Sequence, residues 1–366
     1  MPGQIPFCPN GGLTLVPLPG FELVAQRLKA LIETLASRAN HMATFVDIAT
    51  PKFQRYASGE TFVILPNTHI LEHDCIVLGS GPGTDRMIME LLWTLSMLNG
   101  RHAGRIAVMT GYFPLSRSDG DEGDTILTTP PMLMNMANAA CGRAGLHRWV
   151  CADPHGKQIS MAGQSGQVTP VYLTLKLMRF CVAEMNTKHG LDRPIVLAFP
   201  DDSAAKRFMS ATTALEAELP IHLHAVTAFK RRTDSQNTQI IGIVGDVDEI
   251  AGARVLMFDD EIATGGSVVS MARSLKKTYG AFSIWACATH AVLCNGAQQT
   301  FLTQTDEAGD PWVDHLVVTD TIPMDGRGEP IDDLLERGFV SVYCWLEDLA
   351  WIIYRHHWNL GIRELR

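Results

Sequence analysis

No two cysteines in this 366-residue chain stand at a C-x-x-C spacing, so neither a zinc ribbon nor a thioredoxin-like redox motif is written in it. The eight cysteines (Cys8, Cys75, Cys141, Cys151, Cys181, Cys287, Cys294, Cys344) fall mostly within apolar runs, which suits reduced, buried thiols. No uninterrupted apolar stretch approaches the ~18 residues of a membrane span. The opening MPGQIPFCPNGG also lacks the basic and apolar regions of a secretory signal. A cytoplasmic protein with no membrane contact is expected. Positive charge is in the minority, 30 basic against 39 acidic residues for a formal charge of −9. With no basic tail or stripe, nucleic acid is excluded as the expected partner, and anionic substrates must be met by local cationic clusters. The length is too great for one ordinary core and fits two domains.

What is present centres on Arg254–Gly280, RVLMFDDEIATGGSVVSMARSLKKTYG. Val255–Phe258 has the length of a strand buried on both faces, ending at Asp259 and Asp260. Val268, Val269, Met271, Ala272 and Leu275 then recur at helical spacing until Lys276, Lys277 and Gly280 close the segment. Between them lies Thr264-Gly265-Gly266-Ser267. Glycines permit close approach, and the first amides of the helix are unpaired donors at a positive dipole end, so phosphate is the natural guest. The aspartates could accept ribose hydroxyls or hold a hydrated Mg²⁺. The plainer alternative is a tight strand-to-helix turn with an acidic cap.

Other polar groups also follow strand-like runs. Asp153 and His155 come after Trp149–Ala152, and Asp201 comes after Ile195–Phe199, where ligands meet open α/β sheets. Each has a structural alternative, a packed histidine or a helix N-cap. Tyr56-Ala57-Ser58-Gly59-Glu60 before Thr61–Leu65 could be half of a purine pocket or only a hairpin turn. His69 and His73 are four apart and lack a third ligand at a telling spacing, which favours surface placement over a metal. GSGPGT does not fit G-x-G-x-x-G. Phe229–Asn237, FKRRTDSQN, is cationic and aperiodic, which predicts a mobile loop. FELVAQRLKALIETLASR, residues 21–38, places Leu23, Val24, Leu28, Leu31, Ile32 and Leu35 on one helical face.

DDEIATGGS resembles the ribose-phosphate loop of the type I phosphoribosyltransferase fold, and the chain is similar from end to end to the ribose-phosphate pyrophosphokinase (phosphoribosyl pyrophosphate synthetase) family. Further matches are Tyr56 and Glu60 in an FSDGE-like segment, Arg117 and Asp119 after a Tyr-Phe-Pro turn, Asp153-Pro-His155 with Gln158-Ile159, Pro200-Asp201 with Arg207, Lys230-Arg231-Arg232, Thr289-His290 and Asp320-Thr321-Ile322-Pro323. The resemblance implies an α/β architecture of two tandem type I phosphoribosyltransferase-like domains, each with a mostly parallel sheet flanked by helices, over 1–165 and 166–366. The last helix is expected to pack back on the body.

It further implies an ATP-dependent diphosphotransferase, acting on the C1 hydroxyl of ribose 5-phosphate. The same resemblance implies Lys230 and Arg232 as catalytic residues and Tyr56, Glu60, Arg117, Asp119 and His155 as ATP contacts. His155 and Asp201 would contact Mg²⁺, while Asp259, Asp260, Thr264, Gly265, Gly266 and Ser267 would hold the ribose phosphate. A homo-oligomer is implied in the same way. The chain departs from the family at Ser58 for an Asp, at the acidic loop 117–124 for a basic one, at Ser203-Ala204 for glycines and at Ala263 for a third acid. Two alternatives follow: the same transfer to a larger ribose 5-phosphate derivative such as ADP-ribose, and a non-catalytic regulatory relative.

Overall fold

The computed structural model describes residues 8–38, 42–66, 69–120, 126–190, 192–219, 222–232, 238–294, 296–324 and 329–362, with backbone alone over 230–232, 238–241 and 329–330. The chain divides into two units, Met1–Tyr172 with Cys344–Arg366, and Leu173–Tyr343.

The first unit runs β1 (Leu13–Pro17), α1 (Glu22–Ala36), β2 (Val46–Ile48), β3 (Lys52–Arg55), β4 (Thr61–Ile64), β5 (Asp74–Leu78), α2 (Asp85–Gly100), β6 (Arg105–Thr110), α3 (Thr129–Ala140), β7 (Arg148–Ala152) and β8 (Val168–Val171). Its six-stranded sheet has the order β2-β1-β5-β6-β7-β8, with every neighbouring pair parallel. A strand covered on both faces reads as a continuous apolar run, and DCIVL and RWVCA are almost wholly buried. On α1, Ala25, Leu28, Ile32 and Ala36 are buried. Leu23, on the apolar face expected from spacing, is 47% exposed because it lies in the first turn, before the helix meets the sheet. β3 and β4 form a separate antiparallel hairpin.

The second unit runs α4 (Thr174–His189), β9 (Ile195–Phe199), α5 (Asp202–Glu218), β10 (His224–Arg232), β11 (Thr238–Gly245), β12 (Arg254–Ile262), α6 (Gly266–Tyr279), β13 (Ser283–Ala291), α7 (Ala297–Thr303), β14 (His315–Thr319), α8 (Glu329–Glu336) and β15 (Val340–Tyr343). Its sheet has the order β11-β10-β9-β12-β13-β14-β15. Only the β10/β11 pair is antiparallel. Apolar clusters around Val255, Met257 and Leu275, and around Leu197, Phe208 and Phe258, form its core.

The last helix, α9 (Leu346–His357), belongs to the first unit and packs on α1. Asp74 fixes it from the amino end of β5: this carboxylate, 0% exposed, accepts from Arg105 Nε at 2.9 Å and lies 3.1 Å from His357 Nδ1. Trp358 Nε1 also donates to Thr44 Oγ1 at 2.8 Å. The first segment of this unit ends after Tyr172, where β8 pairs with β7 and closes the first sheet, and 344–366 belongs to the same unit, held by this buried polar anchor.

Candidate functional site

The second unit supplies a strand-end loop. β12 does not stop at Phe258 as its apolar run suggests; it continues to Ile262, because Glu261 and Ile262 pair in register with His290 and Ala291 of β13. Asp259 is half-buried, whereas Asp260 and Glu261 are each only 8% exposed. The Asp259 carboxylate accepts from the Asp260 amide at 2.8 Å. Asp260 Oδ2 lies 3.2 Å from Arg207 Nη1 of α5, which compensates a carboxylate withdrawn from water.

Beyond Ile262 the chain turns through Ala263–Gly265 into α6. Gly265 is the N-cap in the left-handed region, with φ +79°, and a Cβ there would fall 2.6 Å from the Phe301 ring. Only glycine meets both conditions. Thr264, Gly266 and Ser267 remain exposed, beside the first unpaired amides of α6. Asp259, Ser267 and Pro200 line one small cavity at the carboxyl ends of β9 and β12, so the loop, one aspartate and the turn carrying Asp201 come together.

Asp201 is the N-cap of α5, accepting from the Ala204 amide at 2.9 Å. A helix cap and a ligand-facing carboxylate are compatible here, since the residue also ends β9. Lys230 and Arg232 correct the expectation of a loop throughout 229–237. Their backbone continues β10 and pairs with Ile240 and Thr238, after a register shift between Phe229 and Lys230. The cationic run is thus paired in register with β11, and residues 233–237 lie outside the described residues. At the neighbouring strand ends, His290 Nδ1 lies 3.0 Å from Thr321 Oγ1, and Thr319 and Thr321 both donate to the Thr289 carbonyl.

In the first unit, Asp153 leaves β7 with φ +32° although it is only 1% exposed, a strained exit from a buried strand. It leads to His155, half-buried. Asp119 accepts from Gln158 Nε2 at 2.7 Å, and a Cβ on Gly156 would fall 2.0 Å from Asp119 Oδ2. The Asp119 carboxylate is thus seated against the segment carrying His155, through a glycine that leaves room for it. Arg117 is exposed on the same loop, while Asp121–Asp124 lie outside the described residues. Tyr56 and Glu60 stand at the tip of the β3/β4 hairpin. Glu60 accepts from Ser58 at 2.8 Å, and the Tyr56 and Phe62 rings are 4.4 Å apart. Tyr56 is 58% exposed.

The sequence alone does not reveal two of these pairs, Arg207 with Asp260 and Asp119 with Gln158. The available signals were an arginine within two turns of Pro200-Asp201 and a glycine directly after His155. Among the described residues, no group of three or more His, Cys, Asp or Glu side chains could hold a metal by itself, and His73 Nδ1 lies 2.9 Å from Thr14 Oγ1.

Fold and strand-end loop define an α/β protein of two tandem type I phosphoribosyltransferase-like domains. The fold matches a solved structure, phosphoribosylpyrophosphate synthetase from Mycobacterium smegmatis, with a TM-score of 0.70 at 22% identity over 95% of this chain and 99% of that one. Residues 217–330 match the phosphoribosyl synthetase-associated domain. Ribose-phosphate pyrophosphokinase of Campylobacter jejuni is 28% identical over 74% of this chain and 79% of its own length. That of Rhodopirellula baltica is 28% identical over 78% of this chain and 80% of its own. The chain is thus similar over about three quarters of its length to ribose-phosphate pyrophosphokinases, and it shares the fold of a phosphoribosylpyrophosphate synthetase.

Proposed function

We propose that the protein transfers the β,γ-diphosphoryl group of ATP to the C1 hydroxyl of ribose 5-phosphate, giving phosphoribosyl pyrophosphate and AMP for nucleotide biosynthesis. The observation that carries this reading is the β12–α6 loop. Exposed Thr264, Gly266 and Ser267 sit at a helix N-terminus directly after two acids, an arrangement suited to a phosphate on one side and ribose hydroxyls on the other. In this reading Thr264–Ser267 anchor the 5-phosphate and Asp259 and Asp260 accept the ribose hydroxyls, with Arg207 holding Asp260 in place. Tyr56 stacks on adenine, Glu60 accepts from its exocyclic amine, and Arg117 and Asp119 complete the ATP contacts.

His155 and Asp201 are the proposed Mg²⁺ contacts, which suits an ion that keeps several waters and is held by few protein groups plus substrate phosphates. Bound there, it would orient the triphosphate and offset its charge. Lys230 and Arg232 act in the transition state, where charge spreads over the transferred phosphorus and positioning and electrostatics supply most of the catalysis. A cytoplasmic homo-oligomer completes the proposal.

Ala263, half-buried where the family carries a third acid, and Asp119, engaged by Gln158, favour one second reading: the same chemistry on a ribose 5-phosphate with an extended phosphate, such as ADP-ribose. Incubation with Mg-ATP and either sugar, followed by detection of AMP, tests both. AMP release with ribose 5-phosphate, at a kcat/KM about 100-fold above that for ADP-ribose, supports the first reading. The reverse ratio selects the second, and no AMP with either sugar overturns both.

A further inference from the structure

At the rim of the buried anchor in the first unit lies a half-buried thiol, Cys8, shortly before β1. Its Sγ is 3.2 Å from Nε2 of His357, the last residue of α9, and Nδ1 of the same ring is 3.1 Å from Asp74 Oδ2. Cys8 and His357 stand 349 positions apart in the chain, so no motif spacing announces the pair. A thiol, an imidazole within hydrogen-bond reach and a carboxylate that orients the imidazole are together the arrangement of an activated nucleophile.

The charges around it fix each role. Burial pushes the Asp74 carboxyl up, but the hydrogen bonds from His357 and Arg105 outweigh burial and bring it to about 2, so it is ionised at neutral pH. An ionised carboxylate only accepts, so His357 Nδ1 carries the ring proton and Nε2 turns a bare lone pair to Sγ. On the other oxygen of Asp74, His356 Nε2 lies 3.8 Å away, buried and without a hydrogen-bond partner. Burial above all keeps the His356 ring neutral, down at about 3, so it does not compete with His357 for the charge of the carboxylate. Burial, with Asp74 adding to it, also raises the Cys8 thiol above 9.0 against the opposing pull of the Asn10 amide and Arg105. The resting sulfur is therefore protonated and reacts through His357 as its base.

The donors beside Cys8 narrow the substrate. Asn10 Nδ2 donates to the His357 carbonyl, and the Gly11 amide donates to the Cys8 carbonyl. With both engaged, neither stands ready to stabilise the oxyanion of an acyl group. A peroxide needs no such hole, and a small uncharged molecule suits a half-buried thiol.

We propose that Cys8, with His357 as its base and Asp74 orienting that base, is a site of oxidation by hydrogen peroxide. Sγ attacks one peroxide oxygen, and the S–O bond forms as the O–O bond breaks. The thiol proton passes through His357 Nε2 to the departing hydroxide, which leaves as water. Sulfur is oxidised to a sulfenic acid and the peroxide is reduced. The site stands apart from the catalytic reading and does not depend on it.

Treatment of the full chain with hydrogen peroxide at pH 7 in the presence of dimedone, which traps sulfenic acids, tests the assignment by peptide mass mapping. The exposed thiol of Cys294 serves as an internal standard. Cys8 should be trapped at least about tenfold faster than Cys294. In His357→Gln that lead should vanish, with the buried Cys75 and Cys151 still untrapped as the sign of an intact fold. The wild-type comparison decides even where the variant does not fold: Cys8 trapped no faster than Cys294 would overturn the proposal. So would an undiminished lead in folded His357→Gln, or hydrolysis of a nitrophenyl ester that Cys8→Ser abolishes, which would mark an acyl substrate instead.

Discussion

The two ends of the six-stranded sheet in the first unit are built for different purposes. At its amino end, Asp74 is wholly buried among Arg105, His356 and His357, and Arg105 also donates to the His356 carbonyl at 2.9 Å. At its carboxyl end, a strained Asp153 delivers a half-buried His155, and Asp119 rests on Gly156. The first end spends its ionisable groups on one another; the second leaves them where a ligand can reach. The lesson is that buried charge paired with other charge marks an anchor, while half-exposed charge after a strand stands where α/β sheets can meet ligands. In the second unit, Arg254 at the start of β12 is buried and donates to the Gly190 and His189 carbonyls and to an exposed Asp192, while half-buried Asp259 stands towards the other end.

Breaking the anchor should give the largest effect. Asp74→Ala leaves Arg105 and two histidines buried without their carboxylate, and loss of one partner of a buried pair costs about 3–5 kcal/mol. Urea denaturation should report that loss, with the activity of the remaining folded protein within about twofold of wild type. An equal loss of activity per folded molecule would show that the two ends are not independent.

Lys230→Ala and Arg232→Ala test the opposite end of the comparison. Removing a group that acts in the transition state should lower kcat by about 10²–10³, near 3–4 kcal/mol, with little change in KM or stability.

Acid should act on the anchor and on one buried histidine of the second unit. Burial first, and then the neighbouring Arg105, His147 and Arg148 charges acting against the attraction of Asp74, hold His356 down at about 3, against 6.5 for an ordinary histidine. Burial and Lys188 likewise hold His315 down at about 4. These histidines are neutral in the folded protein and become charged on unfolding. Their contribution is fully present above pH 6.5 and is lost as pH falls from there toward 3–4. Each should cost about 2 kcal/mol between pH 6.5 and 5. Asp74 behaves differently. Burial pushes its carboxyl up, but the hydrogen bonds from His357 and Arg105 outweigh that and bring it to about 2, so its contribution is lost only below about 3.8. His356→Gln should flatten the slope between pH 6.5 and 5; an unchanged slope would place the acid sensitivity elsewhere.

A smaller effect is expected at the β12–α6 loop. Gly265→Ala meets a φ of +79° and the Phe301 ring. A left-handed alanine costs about 1–2 kcal/mol before any clash, so a lowered melting temperature should accompany weaker ribose 5-phosphate binding.

Much of this fold is legible in the sequence because period and turn chemistry agree. The run Val255–Phe258, the helix after Gly265 and the strands before His155 and Asp201 all stand where spacing puts them. The failures have a common cause in pairing across the sheet. Asp259–Ile262 is held in β12 by β13, and Lys230–Arg232 in β10 by β11, contacts that no local pattern announces. The amino-end anchor is illegible for the same reason. Asp74 and His357 are 283 positions apart, and His69 and His73, the histidines whose spacing draws attention, lead instead to a bond between His73 and Thr14. Motif resemblance only nominates residues to face ligand, whereas the fold shows that Arg207 belongs with Asp260.

The central claim is that the exposed hydroxyls after β12 bind the sugar's phosphate and contribute nothing to the anchor. Its most direct measurement is the KM for ribose 5-phosphate in Thr264→Ala/Ser267→Ala, taken beside the melting temperature. The account predicts a KM raised at least about tenfold, near 1.4 kcal/mol of lost binding, with the KM for ATP and the melting temperature unchanged. An unaltered KM for ribose 5-phosphate in a folded, active variant would contradict it.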